Sequence, residues 1–185
     1  MMTSFLGAGA ERRSREIGLV RHPTNTSCEI ALTAVVDWEH DLLSVKIEVT
    51  GEVSKLRVAA AEPTTQRKEL WRSTCLEAFV ARQDGSYREY NLSLNGGFAS
   101  YGFSSYRREM RVLDEDLPRG FVHGRNRASV TLGIADIATT DRLGLSAVIE
   151  ELDGTKSYWA LAHPDPDKPD FHHPASFVLE LPPKP

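Results

Sequence analysis

Apolar and polar residues alternate with a period of two in run after run of this chain, and that pattern leaves little choice of fold. "CEIALTAVVDW" sets Cys28, Ile30, Leu32, Ala34, Val36 and Trp38 on one face. "LLSVKIEVTG" repeats the pattern with Leu43, Val45, Ile47 and Val49, while Lys46, Glu48 and Thr50 point the other way. Shorter runs follow at Leu56–Val58–Ala60, at Ala128–Val130–Leu132–Ile134 and at Phe177–Leu179–Leu181. Successive side chains of an extended strand leave on opposite faces, so each run is a strand with one face buried. No long stretch repeats every 3.6 residues; "SSYRREM" and "ADIATTDRLG" have room only for single helical turns or short helices. Many short strands joined by polar turns specify an all-β antiparallel sandwich of the immunoglobulin-like or jelly-roll kind.

The chain has 185 residues, enough for one domain with a real core. Residues 1–16 are expected to form a flexible tail and 17–185 the sandwich. No stretch approaches the ~20 apolar residues of a membrane span. In "MMTSFLGAGAERRSREIG" the arginines follow a short apolar run instead of preceding it, which is the wrong order for a secretion signal. The expectation is a cytoplasmic protein, with Cys28 and Cys75 reduced and no disulfide framework. A net charge of -4 argues against a nucleic-acid partner. Arg107, Arg108, Arg111, Arg119, Arg125 and Arg127 interleave with Glu109, Asp114, Glu115 and Asp116, as on a solvated mixed-charge surface. Nothing in the sequence speaks to oligomeric state.

The hairpin "CLEAFVARQDGSYREYNLSLNGG" is the most informative stretch. Asp84-Gly85 marks its turn, because tight hairpin turns need positive φ. After the turn, Tyr90, Leu92 and Leu94 face one way, and Tyr87, Glu89, Asn91 and Ser93 the other. A two-residue turn would put Glu77 opposite Leu92, on the apolar side. A three-residue loop with a bulge would put it opposite Asn91, in the polar row. One residue of register separates a buried carboxylate, which needs a partner or a raised pKa, from a member of a polar patch.

Near the C-terminus, "YWALAHPDPDKPDFHHP" reads as a proline-stiffened crossover leading to the last strand. Its histidines, His163, His172 and His173, either pin that crossover by hydrogen bonds or reach a ligand. The prolines lower the entropy lost in holding them.

"LWRSTCLEAFVARQDGSYREYNLSLNGGFASYGFSSYR", followed by "YWALAHPDPDKPDFHHPASFVLEL", resembles the DOMON-like superfamily. More narrowly, it resembles a bacterial, cytoplasmic branch related to family 9 carbohydrate-binding modules. The resemblance runs from about Ile17 to Leu181. It rests on Trp71, Cys75, Glu77, Phe79, Tyr87, Glu89, Asn91 and Ser93, on Tyr101, Tyr106 and Arg107, and on Trp159, His163, Pro164 and the Lys168–His172 stretch. It implies a β-sandwich with a ligand site on one sheet or its rim. The superfamily holds both sugar binders and heme binders, and fold alone does not choose between them.

The expected function is therefore a non-catalytic module for a small-molecule ligand, first of all a carbohydrate or related polar metabolite. Trp71, Tyr106 and Trp159 would offer ring platforms, and Glu77, Glu89, Asn91 and Arg107 hydrogen bonds. Glu77, Asn91, His163 and His172 are expected to line one pocket with Trp71, Tyr106 and Arg107 at its edge. No cofactor is required. The alternative occupants are heme, with axial ligands from His163, His172, His173 or Met110, and a divalent metal held by His163, Asp170 and His172. Heme ranks below a sugar, because heme-binding DOMON domains are typically exported and no C-x-x-C-H motif is present. A glycoside-processing enzyme using Glu77 and Glu89 is a further alternative. No nucleophile elbow, phosphate loop or H-E-x-x-H helix occurs.

Overall fold

The computed structural model describes residues 13–39, 42–58, 69–114, 119–123, 127–134 and 141–180. Their strands are β1 (Arg13–Gly18), β2 (Val20–Arg21), β3 (Ile30–Glu39), β4 (Leu42–Gly51), β5 (Cys75–Ala81), β6 (Tyr87–Leu92), β7 (Phe98–Phe103), β8 (Arg111–Leu113), β9 (Arg119–His123), β10 (Arg127–Ile134), β11 (Arg142–Glu150), β12 (Lys156–Ala160) and β13 (Leu179–Glu180). Three single 3-10 turns are the only helical segments among the described residues. The protein is an all-β antiparallel sandwich, as the alternation requires.

One sheet has the order β1-β3-β4-β10-β9. The other runs β2-β12-β11-β5-β6-β7-β8, with β13 added on β11. The runs on β3, β4 and β10 send Leu32, Ala34, Val36, Val45, Ile47 and Leu132 into the space between the sheets. They meet Leu76, Ala78 and Val80 of β5, Tyr90 and Leu92 of β6, and Leu145, Ala147 and Ile149 of β11. Burying this apolar surface is the main driving force for the fold.

The second sheet has a second apolar cluster on its outer face, away from the first sheet. Cys75 and Phe79 of β5, Tyr87 of β6, and Ala99, Tyr101 and Phe103 of β7 gather there with Leu70 and Phe177. The segment 161–178 covers part of this face. β12 and β13 both pair with β11, β12 at Ser146–Glu150 and β13 at Arg142–Leu143. The chain between them leaves the sheet at Ala160, crosses the outer face, and returns to the same strand.

Several local expectations change. The first strand starts at Arg13, inside the segment 1–16 read as a tail, and pairs along β3 from Arg13↔Trp38 to Gly18↔Thr33; residues 1–12 lie outside the described residues. The Leu56–Ala60 run is not a strand where it is described. A 3-10 turn precedes Leu56, which makes one isolated bridge to Glu151, and Ala60 falls outside the described residues. Phe177 closes a 3-10 turn, and only Leu179 and Glu180 join the sheet; Leu181 is not described. "SSYRREM" is no helix but a tight turn closed by the Ser105↔Arg108 bridge. Of "ADIATTDRLG", Arg142–Gly144 opens β11, and residues 135–140 are not described.

Candidate ligand-binding cleft

The loop after β5 decides where Glu77 goes. Gly85 donates its amide to Arg82 O, and Arg82 N pairs with Ser86 O, so Gln83, Asp84 and Gly85 form a three-residue loop. Gly85 has φ +86°, the left-handed conformation this loop needs. Asp84 Oδ1 accepts from the Ser86 amide and hydroxyl and closes the loop. The register is then Glu77↔Asn91 and Phe79↔Glu89, the arrangement that puts Glu77 in the polar row. This row is nevertheless not wet: Glu77 is 3% exposed, Glu89 4% and Asn91 0%.

The two carboxyls are diagonal neighbours on adjacent strands. Glu77 Oε2 accepts from the Ser146 hydroxyl of β11 at 2.9 Å, and Glu89 Oε1 from the Asn91 amide at 2.7 Å. Burial, then the charge of Glu89, pushes the Glu77 carboxyl up to about 8, against the pull of Ser146 and Arg107. Burial pushes Glu89 up to about 7, with Asn91 and Arg107 opposing. Near neutral pH the pair therefore holds at least one proton.

His172 stands over Glu89. Its Nδ1 lies 2.8 Å from the Tyr87 hydroxyl, which also accepts from the Arg107 amide at 3.2 Å. Burial keeps the phenol protonated, up to about 12, so Tyr87 donates to Nδ1. We assign the imidazole proton to Nε2, which faces Glu89 Oε2 at 3.7 Å. Burial, then the charge of Arg107, lowers His172 to about 4, so this approach is not an ion pair at neutral pH. Phe79, Tyr87 and Phe103 set their rings edge-on to the imidazole, with centroids 5.4, 5.8 and 5.3 Å away.

Arg107 sits in the turn between β7 and β8 with φ +54°, a conformation that costs a non-glycine residue ~1–2 kcal/mol. The fold holds it there through its amide and its side chain. Arg107 Nη2 meets Asp170 Oδ1 at 2.8 Å, and the Tyr106 hydroxyl donates to Asp170 Oδ2 at 2.6 Å. Burial pushes Asp170 up, but Tyr106 and Arg107 more than reverse this and hold it below the ordinary carboxylate range. The turn and the crossover are thus locked together.

These elements enclose a cleft of about 450 Å³ lined by Trp71, Glu77, Glu89, Phe103, Arg107, Met110, Val148, Tyr158, Pro169, Phe171 and His172. Of the expected site residues, Trp71, Glu77, Glu89, Arg107 and His172 come together. Asn91 does not line the cleft; it lies sealed beneath, donating to Glu89. Tyr106 spends its hydroxyl on Asp170 and is 45% exposed. His163 turns away: its Nε2 donates to Val20 O at 2.8 Å and its ring packs edge-on to His22. Trp159 is buried between the sheets, its Nε1 donating to Ser157 Oγ, and offers no platform.

The suggested metal set does not assemble. His163, Asp170 and His172 hold separate partners, and among the described residues no three His, Cys, Asp or Glu side chains group around a common point. His173 Nδ1 accepts from the Ala175 amide as the cap of its own 3-10 turn. Phe103, Val148, Tyr158, Pro169 and Phe171 join the cleft without having stood out in the sequence as site residues. The alternation of β7, β11 and β12 places the first three on the outer face, but only the path of the crossover makes that face a cleft.

No protein-family model matches the chain, and no curated protein matches it in sequence. Solved structures do. A candidate carbohydrate-binding protein from Bacteroides uniformis is similar at TM-score 0.67 and 13% identity, over 95% of this chain and 88% of its own. A family 9 carbohydrate-binding module from Caldicellulosiruptor kristjanssonii, in complex with cellotriose, is similar at TM-score 0.54 and 12% identity, over 86% of this chain and 79% of its own. A module of that family from the same organism, in complex with glucose, is similar at TM-score 0.53 and 12% identity, over 90% and 86%. The chain has a β-sandwich fold like that of the family 9 carbohydrate-binding modules.

Proposed function

We propose that the protein binds a small polar ligand, a sugar or a related metabolite, in the cleft on the outer face of the larger sheet, and performs no chemistry on it. One observation carries the reading: buried carboxyls and a neutral imidazole form a polar floor, Glu77, Glu89 and His172, between the rings of Trp71, Phe103, Tyr158 and Phe171. Rings suit the apolar faces of a sugar, and fixed donors and acceptors suit its hydroxyls. The sugar-bound modules of similar fold support the same class of ligand. Glycoside cleavage would need two carboxyls about 5–10 Å apart flanking the scissile bond. Glu77 and Glu89 instead stand side by side on one floor, so a ligand meets both from the same side.

In this reading the chain is a DOMON-like protein of the bacterial, cytoplasmic branch, and neither heme nor metal is needed for binding. Calorimetric titration with monosaccharides and cello-oligosaccharides tests the proposal. A saturable heat should appear with at least one sugar. Trp71→Ala should weaken it about tenfold, the scale of a lost stacking contact. A protein that binds none of them, or binds equally well without Trp71, would overturn the assignment of the cleft.

A further inference from the structure

The floor of the cleft is rich in acceptors, and Arg107, a cation in its lining, pulls on both carboxyls while its guanidinium pairs with Asp170. Glu77 and Glu89 are almost wholly buried, yet their partners there are neutral: the Ser146 hydroxyl, the Asn91 amide and, at 3.7 Å from Glu89, the neutral His172. Beneath them, Asn91 Oδ1 and Ser93 Oγ are sealed from solvent with no hydrogen-bond partner. On the same face burial keeps Cys75 of β5, Tyr87 of β6 and Tyr101 of β7 protonated, while Tyr158 of β12 lines the cleft and Asp170 and His172 come from the crossover; the charged groups of β11 and β12 there are engaged, Lys156 with Arg72 O, Glu150 with Arg57 and Arg142 with Glu180. The walls are aromatic, and ring faces attract ammonium groups.

We infer that the cleft is built for a ligand bearing a protonated amine, an amino sugar, whose ammonium is seated between Glu77 and Glu89. The inference rests on the sugar reading above and narrows its ligand class. Without ligand, the buried pair avoids its charge by keeping a proton. On binding, a carboxyl O–H bond gives its proton to the buffer, and ammonium N–H groups donate to the carboxylates left behind. Binding and proton release are therefore linked. A neutral sugar in the same place would release no proton.

Calorimetry at pH 7 with D-glucosamine, D-glucose, N-acetyl-D-glucosamine and cyclohexylamine tests this, each titration repeated in buffers of different ionisation heat. D-glucosamine should bind about tenfold or more tighter than the two neutral sugars, the scale of one charge-assisted hydrogen bond. It should release about one proton per ligand bound. Glu77→Gln should remove both the preference and the proton release. The proton count on the unaltered protein decides the matter even if that variant folds poorly. Equal affinity for D-glucose and D-glucosamine without proton release would overturn the ammonium site and leave the sugar reading standing. Binding of cyclohexylamine alone would keep the ammonium site and remove the sugar reading, and binding of none of the four would remove both.

Discussion

Glu77 and Glu89 make the stability of the protein depend on pH, and the sign follows from which state holds the protons. Each carboxyl is raised from an ordinary 4.5, to about 8 and about 7, so above about pH 4.5 the native state keeps protons that the unfolded chain has lost. Their contribution is complete below that pH and is lost as the pH rises through the folded values. His172 acts in the opposite sense. Lowered from 6.5 to about 4, it costs stability only as the pH falls below 6.5. Between pH 6.5 and 8 the carboxyls act without it. The ligand-free protein should lose about 2 kcal/mol over that interval, at about 1.4 kcal/mol per proton per pH unit. Urea unfolding at the two pH values measures this. Glu77→Gln keeps an acceptor for Ser146 and should flatten the slope, being as stable as the parent below about pH 4.5 and increasingly more stable as the pH rises to 8. A parent protein more stable at pH 8 than at pH 6.5 would contradict the protonated pair. Position 77 was readable in the sequence as anomalous, an acid in a run of apolar residues. That its row is buried was not, because Ser146 and the crossover that bury it lie far along the chain.

At the scale of elements, one loop and one glycine position the cleft. Gly85 has open space where a Cβ would stand, but its φ is +86°. Gly85→Ala should therefore cost ~1 kcal/mol through backbone conformation alone. Gly144 of β11 is a different case: a Cβ there would sit 2.5 Å from Cδ1 of Phe177 and 3.4 Å from Cβ of Phe79. The missing side chain lets Phe177 lie on the sheet, stacked against Phe79 with centroids 5.6 Å apart. Gly144→Ala should overpack this contact, at a cost of ~1–3 kcal/mol, and lift the C-terminal end of the crossover. Thermal melts of both variants, with ligand titrations, separate the effects. Gly85→Ala should lower the melting temperature and bind once folded. Gly144→Ala should also bind more weakly. The Asp84-Gly85 signal narrowed the hairpin to two registers from sequence alone, whereas nothing local to Gly144 announces Phe177.

At the scale of the molecule, the described residues form two apolar regions held by different means. The region between the sheets is closed by continuous ladders, and the outer-face cluster is closed by the crossover. That crossover is fastened at discrete points: His163 to Val20, Asp165 O to His22, Asp170 to Tyr106 and Arg107, and His172 to Tyr87. Such a segment opens locally before the sandwich unfolds. Asp170→Ala removes two fastenings at once, and hydrogen exchange should speed up in residues 161–178 while the amides of β3, β4 and β10 keep their protection. Equal loss of protection in both regions would show one cooperative unit instead. The sequence by itself determined the sandwich, the inward faces of β3, β4 and β10, and the split of β6 into an apolar and a polar row, because alternation is a local property of an extended chain. Only the tertiary structure decided that the polar row of β5 and β6 is covered, that His172 enters the cleft while His163 faces β2, and that Trp159 belongs to the core. Those outcomes depend on which distant segment lies over a face, and a period of two says which side a residue takes but not what it will meet there.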